Sequence, residues 1–169
     1  TLVPYTTLFR SDTAESLLKK ALEVDPAYYP AHNNLGILYS IQNKNEEALK
    51  CFNEALRINP SSSDALFNLG ILSYKTGDLN RAWVYFSRAA TVSPGFTRAK
   101  MNLAIIEMKR GNMTGAEKLL LKCADESPAD ALVHYNLGVL YRSMGKYRQA
   151  ANAFRKSIFA SPDMADAAN

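Results

Sequence analysis

The sequence has few residues of the kinds that mark special classes of protein. Its 169 residues include 2 Cys, 8 Gly, 7 Pro and 1 Trp. Two cysteines cannot build the disulfide framework of a small secreted domain, and so few glycines and prolines exclude a collagen-like or low-complexity chain. No apolar run approaches the roughly 20 residues that cross a bilayer. These absences leave an ordinary soluble domain and favour a cytoplasmic location.

The charge of the chain is nearly balanced. Its 20 Lys and Arg against 16 Asp and Glu give a formal net charge of +4. A surface that binds phosphates needs its basic residues clustered on one face, so a mild excess is no sign of nucleic acid. We therefore expect neither a nucleic-acid nor a membrane partner for this part of the protein.

The first eleven residues differ from everything that follows. Residues Pro4 to Ser11 resemble the translation of a common sequencing adapter. The stretch has no helical period, and Pro4 with the two threonines disfavours a helix. It also lacks the apolar core of a signal peptide. We predict that residues 1–11 are a non-native, disordered extension; a natural, poorly structured terminus is the alternative.

The rest of the chain repeats itself with a period of 34 residues. Such a period is typical of repeat architectures. The tripeptide Asn-Leu-Gly, or Asn-Leu-Ala in the third copy, begins at Asn34, Asn68, Asn102 and Asn136. In the same period the chain carries a small residue at Ala48, Ala82, Ala116 and Ala150, a large apolar one at Phe52, Phe86, Leu120 and Phe154, and a proline at Pro60, Pro94, Pro128 and Pro162.

This pattern resembles the tetratricopeptide repeat (TPR), a 34-residue helix–turn–helix unit. The resemblance covers the chain after residue 11 and implies an all-α fold, a right-handed solenoid of stacked antiparallel helix pairs (a TPR superhelix). Full repeats are predicted at 29–62, 63–96, 97–130 and 131–164. Residues 12–28 match the second helix of a truncated repeat, and residues 165–169 would start another.

Two features of each repeat have a direct physical reading. A glycine inside a helix costs roughly 1 kcal/mol relative to alanine, so Gly36, Gly70 and Gly138 predict that the second helix approaches closely there. Glycine and asparagine can adopt positive φ at the end of a helix. Turns between paired helices are therefore predicted near Asn43, Gly77, Gly111 and Gly145.

The motifs of enzymes and metal sites are missing from the sequence. It has no His-Glu-x-x-His, no Cys-x-x-Cys, no phosphate-binding glycine loop and no nucleophile elbow. His32 and His134 would lie on the order of 30 Å apart at ~10 Å per helix layer, so we interpret them as packing residues. Cys51 and Cys123 lie two repeats apart, too far for a disulfide. We expect no catalysis, no cofactor and no metal.

The family resemblance places a binding groove along the first helices of the repeats. Arg98 matches one basic position of the clamp by which chaperone-binding members hold a terminal carboxylate, and most of that clamp is missing. The predicted peptide-binding residues are Asn34, Asn68, Asn102, Asn136, Phe67, Met101, Tyr135, Tyr74, Met108, Arg98 and Arg142.

The asparagine column is open to two interpretations. A carboxamide both donates and accepts, so one asparagine per repeat could hold the backbone of an extended peptide. Superhelical members of the family, including the O-linked N-acetylglucosamine transferases, carry such a ladder. Alternatively, the asparagines form hydrogen bonds with neighbouring helices and bind no ligand. On the first interpretation, a peptide could cross three successive repeats along Asn68, Asn102 and Asn136.

Aromatic and methionine side chains are predicted to give the groove an apolar floor. Such residues often anchor a bound peptide, and we expect Phe67, Tyr74 and Tyr135 to face the ligand. The column of branched apolar residues is expected instead to pack against a neighbouring helix. Its members are Ile37, Ile71, Ile105 and Val139.

The sequence thus favours a non-catalytic scaffold that binds a protein or peptide. The alternative is the substrate-recruiting array of a larger enzyme such as a glycosyltransferase, because the same repeats would serve both. A third interpretation is self-association through uncapped ends of the solenoid, since solenoids depend on polar caps for solubility.

Overall fold

The computed structural model describes the backbone of residues 5–161 and the side chains of residues 12–161. Over this range the chain is helical between its turns and has no strand. The helices are α1 (Tyr5–Val24), α2 (Tyr29–Ile41), α3 (Asn45–Ile58), α4 (Ser63–Lys75), α5 (Leu79–Val92), α6 (Thr97–Lys109), α7 (Met113–Glu126), α8 (Ala131–Ser143) and α9 (Tyr147–Ala160). The all-α fold predicted from the sequence is confirmed.

The helices form two compact units. Unit 1, Thr1–Val92, contains α1 to α5, and unit 2, Ser93–Asn169, contains α6 to α9. Within each unit every helix packs against the next one in the chain. In addition α2 contacts α4 in unit 1, and α6 contacts α8 in unit 2. Each unit is therefore a stack of antiparallel helix pairs, in which α2, α4, α6 and α8 are the first helices of their pairs.

Helix α1 is longer than the sequence predicted. It begins at Tyr5, whereas residues up to Ser11 were expected to be non-helical. No proline or glycine lies between Tyr5 and Val24, so nothing in this stretch stops a helix from extending towards the N-terminus. The predicted start of a further repeat at 165–169 lies outside the described residues. No helix of the described part is both long and apolar enough to cross a membrane.

The glycines inside the first helices lie against phenylalanine rings of the second helices. A Cβ atom built on Gly36 would be 2.6 Å from the ring of Phe52, and one on Gly70 would be 2.6 Å from the ring of Phe86. Both distances are too short for real atoms. The predicted close approach of the two helices is therefore confirmed, and glycine is required because there is no room for a methyl group.

The same contact recurs in unit 2 in two forms. Gly138 faces Phe154, where a Cβ atom would lie 2.5 Å from the ring. In the repeat before it, alanine stands at the glycine position and leucine at the phenylalanine position. Ala104 and Leu120 are both fully buried. The smaller leucine leaves the space that the methyl group of alanine occupies, so the two positions change together.

The turns within the helix pairs have the predicted left-handed backbone. The φ angles are 85° at Gly77, 80° at Gly111 and 73° at Gly145, and Asn43 takes the same region with φ 61°. The Asn43 side chain accepts a hydrogen bond of 2.7 Å from Nζ of Lys75, which ties this turn to the next first helix. The positive φ is thus a requirement of the helix–turn–helix unit.

Replacing Gly77 with alanine tests this requirement. No atom lies within 4 Å of the added Cβ, so only the left-handed backbone opposes the change. We expect the free energy of unfolding to fall by about 1 kcal/mol, measured by urea unfolding followed by circular dichroism. Gly95→Ala is the control, because Gly95 also has open space but no positive φ. Equal effects of the two changes would contradict this account.

Candidate functional site

The first helices expose a stripe of asparagine and branched apolar side chains. On α2, Asn34 and Ile37 are three residues apart and both exposed. On α4, Ile71 is 37% exposed and Asn68 is half-buried. The equivalent residues of unit 2 are half-buried. We call these positions the Asn–Ile face, formed by Asn34, Ile37, Asn68 and Ile71 in unit 1 and by Asn102, Ile105, Asn136 and Val139 in unit 2.

The exposure of two isoleucines corrects the sequence analysis. Ile37 and Ile71 were expected to pack against a neighbouring helix, but they are 36% and 37% exposed. They lie three residues after an asparagine, and residues three apart share one face of a helix. Each isoleucine is therefore presented beside the asparagine of its own helix, where a ligand of the asparagine would meet it.

Three of the asparagines donate hydrogen bonds within their own unit. Nδ2 of Asn68 is 3.0 Å from Oδ1 of Asn33 on the preceding first helix. Nδ2 of Asn102 is 2.8 Å from the carbonyl oxygen of Arg98, and Nδ2 of Asn136 is 2.9 Å from that of Leu132. These bonds orient the amides and help to explain why asparagine is tolerated in the helices. In each case the donor is Nδ2 of the amide, and Nδ2 of Asn136 also lies 3.8 Å from Sδ of Met101 on α6.

Two predicted anchors are buried. Phe67 is 6% exposed, and its ring centroid lies 5.4 Å from that of Phe86, which lies on the second helix of the same pair. Met101 is 5% exposed and belongs to the core cluster of unit 2. Phe67 therefore turns towards the second helix of its pair, and Sδ of Met101 faces Asn136 on α8. Their burial leaves both side chains little surface to offer a ligand as the predicted apolar floor.

Tyr135 is more exposed than Phe67 and Met101, which occupy the same position in earlier repeats. It is 46% exposed, although its ring lies 5.7 Å from that of Phe154. The phenol is amphipathic, so the ring can pack while the hydroxyl stays in water. Among the remaining predicted residues, Tyr74 and Met108 are half-buried, and Arg98 and Arg142 are exposed. Tyr135 therefore remains a candidate for contact with a bound peptide.

A shallow apolar groove adjoins the Asn–Ile face in unit 1. It lies between α1 and α2 and has a volume of about 460 Å³. We call it the α1–α2 groove; it is lined by Ala14, Leu17, Leu18, Asn34, Ile37, Leu38 and Ile41. Leu17 and Ile41 are 61% and 72% exposed and were not among the residues predicted from the sequence. Ile41 follows Ile37 by four residues, and this helical spacing was the signal for it.

The two histidines bind backbone oxygens. Nε2 of His32 lies 2.9 Å from the carbonyl oxygen of Pro26, and Nε2 of His134 lies 2.7 Å from that of Pro128. A carbonyl only accepts, so the hydrogen of each ring sits on Nε2. These bonds fix the loops before the first helices, in agreement with a packing role. In the part of the chain that the structure describes, no group of three or more His, Cys, Asp or Glu could hold a metal ion.

Charged side chains take part in the contacts between neighbouring helices. Lys100 is 6% exposed and its ammonium contacts the carboxylate of Glu126 on α7. That hydrogen bond lowers the pKa of the Glu126 carboxyl. In unit 1, Glu15 accepts from Lys19 at 2.7 Å and from the hydroxyl of Tyr39 at 3.0 Å, and the bond from Lys19 lowers the pKa of Glu15. The Lys100–Glu126 pair joins α6 to α7, and the hydroxyl of Tyr39 joins α2 to Glu15 on α1.

Both cysteines are free thiols; Cys123 is buried and Cys51 is half-buried. Desolvation raises the pKa of Cys123 to about 11 and also raises the pKa of Cys51. Only the thiolate reacts. In a Cys51→Ser variant at pH 8, we expect a disulfide reagent to modify Cys123 roughly 100-fold more slowly in the native chain than in urea. Equal rates, read from the released chromophore, would contradict the burial of Cys123.

The geometry defines the class of protein as a helix-pair repeat protein. Family profiles for the tetratricopeptide repeat match residues 29–62, 51–91 and 131–164. The chain belongs to the tetratricopeptide repeat family. TPR repeats are typically non-catalytic modules of protein interaction. A comparison with curated proteins found no match.

Solved structures share this fold. The structure of YrrB, described as a TPR protein with an unusual peptide-binding site, is 25% identical, covers 94% of this chain and 81% of its own, and has a TM-score of 0.71. MamA is 20% identical to this chain; the match covers 95% of this chain and 94% of MamA, with a TM-score of 0.78. PilF of Pseudomonas aeruginosa is 20% identical to this chain; the match covers 93% of this chain and 72% of PilF, with a TM-score of 0.82. At their level of identity, MamA and PilF show the fold alone.

Proposed function

We propose that this chain is an interaction scaffold that binds an extended peptide on the Asn–Ile face of its units. The observation that carries the proposal is the pairing, on α2 and α4, of an asparagine with an exposed isoleucine three residues later. A peptide presents both polar backbone groups and side chains, and this face offers a partner for each. The likeness to YrrB, a TPR protein with a peptide-binding site, supports the proposal.

The polar half of the interaction uses the asparagine amides. Because Nδ2 of Asn68 already donates to Asn33, the amide is held in one orientation. Its Oδ1 atom can then accept an N–H of the peptide without losing much side-chain freedom on binding. Asn34 is exposed on the neighbouring first helix and offers a second such group. Backbone contacts of this kind hold a peptide without reading its sequence.

The apolar half selects the peptide. The α1–α2 groove brings Leu17 and Ile41 beside Ile37, so unit 1 presents a continuous apolar strip next to its asparagines. A peptide side chain that covers this strip removes apolar surface from water on both sides. Unit 1 therefore prefers peptides that carry aliphatic or aromatic side chains.

Selection of displayed peptides tests the proposal. A phage library of random 12-residue peptides is selected against the immobilised full chain, and the dissociation constant of an enriched peptide is measured by fluorescence anisotropy. The Ile37→Ser/Ile71→Ser variant should bind it at least about tenfold more weakly, since about 1 kcal/mol of apolar contact is lost at each position.

The matched control changes two apolar residues on the second helix of the pair. Val84 and Val92 on α5 are 48% and 43% exposed, so they resemble the isoleucines in size and exposure. The Val84→Ser/Val92→Ser variant should bind the peptide as the parent chain does. A selection without enrichment, or an affinity that falls only in the valine variant, would contradict the proposal.

A further inference from the structure

Unit 2 has a cavity on the side of its second helices. It lies between α7 and α9, has α8 as its floor, and has a volume of about 720 Å³. We call it the α7–α9 cleft. Its apolar walls are formed by Leu121 and Ala124 of α7, Leu137 and Tyr141 of α8, and Ala153 and Phe159 of α9. These residues come from the second helices and from the buried side of α8, so the cleft is separate from the Asn–Ile face.

The corresponding position of unit 1 is filled by two large side chains. Leu56 of α3 and Tyr85 of α5 pack there against a core cluster that includes Leu69 of α4. The residues 68 positions further along the chain are Ala124, Ala153 and Leu137. The floor is thus the same leucine in both units, whereas the leucine and the tyrosine that cover it in unit 1 are both alanine in unit 2.

One residue of unit 2 refills part of this space. Tyr141 takes the position of Ser73, is 8% exposed and lines the cleft, so its larger side chain fills part of the space above the leucine floor. The remaining cavity still lies within the range of about 300–1,000 Å³ that is typical of ligand sites. The exchange of Leu and Tyr for two alanines has therefore left an open cleft and not a repacked core.

The walls of the cleft suit apolar side chains flanked by a peptide backbone. Leu121 is 43% exposed and Phe159 is 80% exposed, so two large apolar residues stand at its mouth in water. The amides of Gln149 and Asn152 lie along the α9 wall and can pair with backbone groups. On the α8 floor, the ring of His134 is held in place by its hydrogen bond to the carbonyl oxygen of Pro128.

We propose that the α7–α9 cleft binds a segment of a protein partner that inserts one aromatic and one aliphatic side chain. These side chains take the places that Tyr85 and Leu56 occupy in unit 1. The chain itself supplies the template for the occupant, because the same helix arrangement over the same leucine accommodates this pair of side chains in unit 1. The cleft would give the protein a second interaction surface, independent of the peptide site proposed above.

The test uses the capped dipeptide N-acetyl-Leu-Tyr-amide as a probe of the full chain. The methyl signals of Ala124 and Ala153 are followed by NMR during the titration. We expect saturable shifts of both signals at millimolar probe. The variant Ala124→Leu/Ala153→Tyr, which copies unit 1, should bind the probe at least tenfold more weakly, as judged from signals of other cleft residues such as Leu121. N-acetyl-Ser-Ser-amide should cause no saturable shift.

Two further variants make the result decisive. Ala151→Leu adds the same bulk on an exposed position of α9 outside the cleft, and it should bind the probe as the parent chain does. If the double variant does not fold, the smaller change Ala124→Leu should still weaken binding at least threefold. Absence of saturable shifts at Ala124 and Ala153, or equal binding by the parent chain and the filled variant that folds, would overturn the proposal.

Discussion

Replacing Gly70 with alanine is expected to lower the free energy of unfolding by about 2 kcal/mol. The added Cβ would lie 2.6 Å from the ring of Phe86, which is fully buried and has no room to move. Overpacking of this kind costs about 1–3 kcal/mol. The result is opposite in sign to the gain of roughly 1 kcal/mol that alanine gives at an exposed helix position. Urea unfolding monitored by circular dichroism measures it.

The chain also contains the compensating pair. Ala104 and Leu120 stand where the other repeats have glycine and phenylalanine. The double variant Gly70→Ala/Phe86→Leu copies them and should lose no more than about 1 kcal/mol, less than Gly70→Ala alone, because the leucine makes room for the methyl group. If the losses of the two single variants simply add, the steric account of the glycine is wrong.

Replacing Phe67 with alanine is expected to cost about 3–5 kcal/mol of stability. Phe67 is 6% exposed and packs on the ring of Phe86, and truncation of a buried phenylalanine leaves a cavity. Such a loss would exceed that of Gly70→Ala. The same denaturant titration measures it, with near-ultraviolet absorbance as a second probe.

Tyr135 is the matched control for Phe67, because it occupies the same position two repeats later. It is 46% exposed, so Tyr135→Ala should cost about 1 kcal/mol and should act instead on peptide binding in unit 2. If Phe67→Ala were as mild as Tyr135→Ala and weakened peptide binding, Phe67 would be a ligand anchor and its burial would be wrong.

The 34-residue period was sufficient to predict the helix pairs and their closest contacts. Glycine inside a helix is costly, so its recurrence at Gly36 and Gly70 indicated a steric cause, and the ring contacts show that cause. Positive φ at the turns was predictable for the same reason, since few residues other than glycine and asparagine adopt it. These features depend on local chemistry that a single repeat already contains.

The orientation of side chains within a column could not be predicted in this way. Phe67 and Tyr135 share a column, yet one is buried and the other is exposed. Whether each side chain is buried depends on its length and polarity and on the neighbouring second helix, and the period specifies none of these. For the same reason, Ile37 was expected to pack against a neighbouring helix. The α7–α9 cleft likewise became visible only when the side chains that fill its counterpart were known.

The side-chain amide signals of the asparagines offer the most direct test of the Asn–Ile face. The full chain, labelled with nitrogen-15, is titrated with an enriched peptide, and the amide signals of Asn34, Asn68, Asn102 and Asn136 are followed by NMR. We expect the two signals of at least one unit to shift saturably, with the dissociation constant found by anisotropy. If the peptide binds but all four signals stay in place, the asparagines serve only the packing of the helices and the proposed binding face is wrong.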